Sequence, residues 1–157
     1  MEIINTPPPP SGLRRLLFRL PVQLYRMRLG WLLGGRFMLV VHIGRVSGKP
    51  RRAVIEVVAH DRVGGYVGPS GYGRRSDWFR NILATPEVTV QVGNRVMAMT
   101  ARPLTPEEGA ELMAAYARRA PRTARRLARF LGFLVDGSAA DFREVGRHIA
   151  FVRFIPR

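Results

Sequence analysis

Between Val88 and Ala101 the order of residues spells out a β-hairpin. Val88, Val90 and Val92 alternate with polar residues, Gly93-Asn94 supplies a tight turn, and Val96 to Ala101 returns. A period of two around a two-residue turn fixes antiparallel pairing with one buried face. A slip of one residue would turn every valine to solvent, so the register is specified as well. The rest of the chain must therefore supply strands and helices that cover this face.

Two further apolar runs, Phe37 to Ile43 and Ala53 to Ala59, read as strands buried on two faces, the second broken only by Glu56. A short strand is expected around Tyr66 and Val67, and a closing strand from His148 to Ile155. Ser76 is placed to cap a short helix that runs to about Ala84 and is stopped by Pro86. Thr105-Pro106-Glu107-Glu108 is a capping box with proline at the first helical position. It opens a helix through about Arg118. Pro121 starts another, with Leu127, Phe130, Leu131 and Leu134 on one side. Strands with one helix among them and late helices, without regular βαβ alternation, predict the α+β class and a mostly antiparallel barrel.

The chain has 157 residues, one domain's worth, and 46% of them are hydrophobic, enough for a core without covalent staples. It has no cysteine, which excludes disulfides, thiolate metal sites and cysteine nucleophiles. Residues 1–10, ending in four prolines, read as a disordered tail without the basic start of a signal peptide, which predicts a cytoplasmic protein. Residues 11–34 read as an amphipathic basic helical segment. Leu13, Leu16, Leu17, Leu20, Leu24, Met27 and Trp31 fall within an arc of about 100°, with Arg15, Arg19 and Arg26 on the far side. Pro21 interrupts the segment. Such a stretch suits the inner face of an anionic membrane, or it caps the barrel and buries its stripe. Residues 35–157 form the barrel domain, with helices at about 76–84 and 105–134.

Charge points to the class of partner. There are 26 basic and 11 acidic residues, a formal net charge of +15, and Lys49 is the one lysine. Guanidinium forks suit phosphates and carboxylates, so an anionic cofactor, an anionic lipid or a nucleic acid qualifies. The aromatics do not interleave with the arginines as a stacking platform would, which argues against nucleic acid.

Three segments concentrate polar chemistry. Gly44-Arg45-Val46-Ser47-Gly48-Lys49-Pro50-Arg51-Arg52 joins two apolar strands and gathers positive charge, a hydroxyl and backbone amides at one turn. It can cradle an anion, or be a solvated basic hairpin. It lacks the spacing of a P-loop. Gly68-Pro69-Ser70-Gly71-Tyr72-Gly73 is a flexible loop that lets a flat ligand approach. Asp77-Trp78-Phe79-Arg80-Asn81 places two aromatics at a helix start, a pairing as suited to a core as to a ligand. His42, His60 and His148 are isolated, so no metal site is expected. Tyr66, Tyr72 and Tyr116 are possible proton donors or packing residues.

Taken in order, these segments with Pro86-Glu87-Val88-Thr89-Val90-Gln91-Val92-Gly93, Thr100-Ala101-Arg102 and Pro106-Glu107-Glu108 resemble the deazaflavin-dependent nitroreductase family. The resemblance spans about Gly35 to Tyr116. It implies a split β-barrel of the FMN-binding-like kind and coenzyme F420, a deazaflavin with a phosphate and an oligoglutamate tail. By that resemblance Arg45, Ser47, Gly48 and Arg51 would grip the phosphate and acidic tail, with Lys49 and Arg52 adding charge. Ser70 and Gly71 would lie against the deazaflavin, and Trp78, Phe79 and Asn81 would line the site. The chain departs from many relatives at Val46 and Gly71, where they carry basic residues, and at Phe79, where they carry tyrosine.

The chemistry so implied is hydride transfer from C5 of the reduced deazaflavin to a quinone, an enone or a nitroaromatic, with the protein supplying binding and orientation. Ser70 and Tyr72 are the candidate proton donors. FMN on the same barrel and a non-catalytic cofactor- or lipid-binding protein are the alternatives. A small-molecule acceptor, an anionic membrane surface met through residues 13–31, and a second copy of the chain are the expected partners.

Overall fold

In a computed structural model, which describes residues 2–3 and 35–157, the valine alternation closes into the hairpin it predicts. The strands in chain order are β1 (Glu2–Ile3), β2 (Phe37–Ile43), β3 (Pro50–Glu56), β4 (Ala59–His60) and β5 (Tyr66–Pro69). They continue with β6 (Glu87–Val92), β7 (Arg95–Pro103), β8 (Phe133–Leu134) and β9 (Phe151–Pro156). The helices are α1 (Asp77–Ala84), α2 (Pro106–Arg119), α3 (Pro121–Phe130) and α4 (Ala139–His148). Apart from Glu2 and Ile3, which pair with Leu134 and Phe133, the tail and the amphipathic segment of residues 1–34 lie outside the described residues.

Seven strands form one antiparallel sheet in the order β3-β2-β6-β7-β9-β5-β4. In the β6–β7 hairpin Glu87 faces Thr100 and Val92 faces Arg95, with Gly93 at φ +58 in the turn, a conformation glycine adopts without strain. Val90 also faces Val40 of β2, and both are fully buried.

The sheet curls until its two edges meet in one stretch of chain. β3 lies at one edge and β4 at the other, and the two residues between them bond to opposite sides. Val57 N donates to Arg36 O at 2.8 Å and Val58 N donates to Val67 O at 2.9 Å. This seam needs Gly68, because a Cβ there would stand 2.5 Å from Ile55 Cγ2 and 2.7 Å from Glu56 O. The run Ala53 to Ala59 is therefore a bent connection between two edges. Its strand begins earlier, at Pro50, and the first three residues of β3 are exposed, since only β2 pairs with it in the sheet.

Two apolar clusters hold the fold. Met38, Val40, Ile82, Val90, Met99 and Phe154 fill the barrel under α1. Met113, Ala124, Leu127, Phe142, Val145 and Phe151 pack beneath the later helices. Each large side chain so buried is worth roughly 1.5–3 kcal/mol. The capping box is made: Thr105 Oγ1 accepts from Glu108 N at 3.2 Å, and Glu108 Oε1 accepts from Thr105 N at 3.0 Å. Helix α4 was not anticipated from the sequence. Ser138 caps it by accepting from Asp141 N at 3.1 Å, and Gly146 lets it lie directly against Gly109 of α2. Phe130 and Leu134, expected on the buried side of α3 with Leu127 and Leu131, are instead 58% and 46% exposed. Helix α3 ends at Phe130, and Leu134 belongs to β8, so neither continues its buried stripe. Among the described residues no helix is long and apolar enough to cross a membrane.

Candidate active site

The basic loop folds back over helix α1, and one buried side chain ties the two together. Gly44 N donates to Lys49 O at 2.9 Å and Gly48 N to Gly44 O at 2.8 Å, with Gly48 at φ +70, so residues 44–49 close a tight turn between β2 and β3. Asn81, buried on α1, accepts at Oδ1 from Arg45 N at 3.0 Å and from Arg45 Nη1 at 2.9 Å. Arg45 Nη2 also meets Asp77 Oδ1 at 3.2 Å. With Oδ1 accepting, the other end of the amide must donate, so Asn81 Nδ2 donates to His42 Nδ1 at 3.1 Å. His42 then carries its proton on Nε2. Burial, with Arg51 opposite it across the strands, lowers the His42 pKa to about 4, against a smaller raising effect of Asp77. The imidazole is neutral at pH 7 and suited to accept that bond.

This arrangement sorts the predicted cations. Arg45 is committed to Asn81 and Asp77, so it shapes the loop. Arg51 Nη2 donates to Ser47 Oγ at 3.4 Å, and the same oxygen accepts from Lys49 N at 3.2 Å. Arg51 pairs with His42 and Arg52 with Val41, so the two guanidiniums leave β3 on opposite faces. Arg51 and Arg52 are strand residues, and the loop proper ends at Lys49. The side chains of Lys49 and Arg52 are exposed and make no hydrogen bond or ion pair among the described residues.

The serine-glycine loop follows β5. Ser70 is buried, its N donates to Ala150 O at 2.8 Å, and its Oγ donates to Gly73 O at 2.6 Å, which commits the hydroxyl proton to the turn. Gly71 and Tyr72 are half-buried, and a Cβ at Gly71 would stand 3.7 Å from Phe130 Cε1. The exposed ring of Phe130 therefore borders this loop. Trp78 is half-buried and stacks on Phe154 with ring centroids 6.4 Å apart, while Phe79 lies in the core. Ser76 occupies the N-cap position of α1 but makes no side-chain cap bond.

His42, Asp77 and Phe130 are the residues that sequence reasoning did not place at the site. The available signal for His42 was a lone polar ring at the end of an apolar strand, facing the arginine side of the loop. Among the described residues no three His, Asp or Glu side chains are grouped to hold a metal.

The donor set suits an anionic group. Ser47 and Lys49 lie on a fixed turn with Arg51 bonded to it from the start of β3, and glycines leave the backbone open beside the second loop. Comparison with known proteins agrees. The family model described as F420H(2)-dependent quinone reductase matches residues 17–132. A solved F420-H2-dependent reductase, FDR-A, is 23% identical, with 76% of this chain and 93% of that one covered at a TM-score of 0.50. A structure described as a domain-swapped dimer is 21% identical over 85% and 98% of the two chains, at a TM-score of 0.52. The heme storage protein HutZ from Vibrio cholerae is 11% identical over 88% and 91%, at 0.54. At these identities the solved structures establish the split-barrel fold.

Proposed function

From the premise that this chain belongs to the F420H2-dependent quinone reductase family, we propose that the turn 44–49 together with Arg51 anchors the anionic tail of coenzyme F420. The protein is an oxidoreductase, and coenzyme F420 is its cofactor. When bound, the reduced cofactor supplies a hydride from C5 to a small-molecule acceptor such as a quinone. The family assignment favours this reading over FMN and over cofactor storage.

The observation that carries the proposal is the His42–Asn81–Arg45–Asp77 chain of bonds. It fixes the turn in advance, so that the Arg51 guanidinium and the Lys49 backbone N–H are held together on the Ser47 hydroxyl before any ligand arrives. Preorganised charge-assisted donors lose little freedom on binding a phosphate or carboxylate. Arg52, on the other face of β3, contributes to the general field. Gly71 offers room beside the ring of the cofactor, with Trp78 behind and Phe130 forming an apolar wall on the acceptor side. Ser70 Oγ donates to Gly73 O, and Tyr72, two residues on in the same loop, is the candidate proton source for the reduced acceptor.

Two further features belong to the same reading. A lipid-soluble quinone suits an enzyme resting on the inner face of an anionic membrane, and residues 13–31 carry the amphipathic pattern for it. A homodimer is the inferred assembly, in keeping with the dimeric neighbour of the same fold.

The test is a fluorescence titration with oxidised coenzyme F420 and, in parallel, FMN, comparing the native chain with Lys49→Ala, Arg51→Ala. Micromolar F420 affinity that weakens about tenfold, roughly 1.4 kcal/mol, in the variant is the expected result. Tight FMN binding without F420 binding, or F420 binding indifferent to the two substitutions, would overturn it.

A further inference from the structure

A cleft of about 320 Å³ opens between α2, α3 and the turn that leads into α4, and none of its lining residues belongs to the site described above. Ala114, Ala117 and Phe142 give it an apolar floor, while Arg118, Arg122 and Arg125 stand around it. Arg125 is fixed there, because its Nη2 donates to Asp136 O at 3.3 Å. Gly137, at φ +93, makes this possible: any side chain at that position would occupy the place of the Arg125 guanidinium. The Arg118 and Arg122 side chains make no hydrogen bond or ion pair among the described residues. Among the described residues no acidic side chain lines the cleft. The nearest carboxylates in sequence are turned to their own backbone, Asp136 Oδ1 accepting from Ser138 N and Asp141 Oδ2 from Asp136 N, both at 2.8 Å.

Three guanidiniums around one small concavity repel each other unless an anion joins them. A single carboxylate would leave two of them uncompensated, whereas a phosphate offers more charge and oxygens for bidentate forks. The apolar floor has no use for a bare ion and calls for a hydrocarbon or ring attached to it. We propose that this cleft binds a phosphate group carried on an apolar stem. The same chemistry is presented by a phospholipid headgroup and by a small soluble phosphomonoester. The inference is independent of the redox reading.

The test uses the full chain and two probes: phenyl phosphate in solution by calorimetry, and sedimentation with phosphatidylcholine vesicles doped with phosphatidic acid. The variant is Arg118→Gln, Arg122→Gln, and the charge-matched control is Arg62→Gln, Arg95→Gln, both exposed and away from the cleft. Binding that falls about tenfold in the first and holds in the second supports the site. Seen with phenyl phosphate, it assigns a soluble source, and seen with vesicles alone, a lipid one. Should the double variant fail to fold, Arg122→Gln alone carries the same comparison. Failure of both probes to bind, equal weakening by the two variants, or displacement of phenyl phosphate by oxidised coenzyme F420 would each overturn the proposal.

Discussion

Asn81 and Arg45, 36 positions apart, are joined at a single oxygen: Asn81 Oδ1 receives both the backbone N–H of Arg45 at 3.0 Å and its guanidinium at 2.9 Å. One buried amide therefore sets both the path of the turn and the direction of its first arginine. Replacing it with alanine leaves the backbone N–H of Arg45 and the ring of His42 without their partner, at a cost of about 1–3 kcal/mol in stability. Asn81→Ala is expected to fold and to bind coenzyme F420 about tenfold more weakly. A titration showing native affinity would mean that the turn holds its shape without α1.

The histidine at the other end of that amide predicts a pH dependence. His42 has a folded pKa of about 4, below its ordinary value of 6.5, so the unfolded chain takes up the proton first. The stability that depends on the neutral ring is complete above pH 6.5 and declines as pH falls towards 4. The slope is at most about 1.4 kcal/mol per pH unit. Denaturation midpoints between pH 7 and pH 4 should show this slope in the native chain and a flatter one in His42→Gln.

At the barrel seam, Gly68→Ala would drive a methyl into Ile55 and the Glu56 carbonyl. Overpacking of this kind costs about 1–3 kcal/mol, or a thermal midpoint lowered by roughly 2–12 °C. The parallel change Gly71→Ala meets only ordinary contact with Phe130 and should leave the midpoint within a degree or two of native. Melting curves of the pair decide it.

Phe130 offers a kinetic test of the acceptor side. Its ring is exposed and borders Gly71. Phe130→Ala should raise KM for a quinone roughly threefold to tenfold, with kcat and cofactor affinity changed less. Equal loss in cofactor affinity would instead place the ring against the deazaflavin.

The features legible in the sequence are those governed by neighbours along the chain. The Val88–Val92 alternation and the Thr105–Glu108 box each carry their own geometry, and both form as read. Helix α4 escaped because its stripe is short, only Phe142 and Val145 being large and buried, and it carries Gly146 in its interior. Glycine there weakens the local signal and serves a contact with Gly109 that no local pattern shows. The site divides in the same way. The basic loop was visible as composition, but the division between a structural Arg45 and an outward Lys49 depends on Asn81, which only the folded chain brings near. The resemblance set Arg51 on the acidic tail with Arg52 as added charge beside it, and strand register sends the two side chains to opposite faces of β3.

Strand β3 begins with Pro50, Arg51 and Arg52, and in the main sheet only β2 pairs with it. A proline that cannot donate and two repelling cations are the features that stop a bare sheet edge from recruiting another chain's strand. The cluster proposed to receive an anion thus also carries the features that guard a sheet edge against aggregation. Variants that strip its charge will tend to precipitate at high concentration, above all without cofactor, and native folding of a dilute sample will not reveal it.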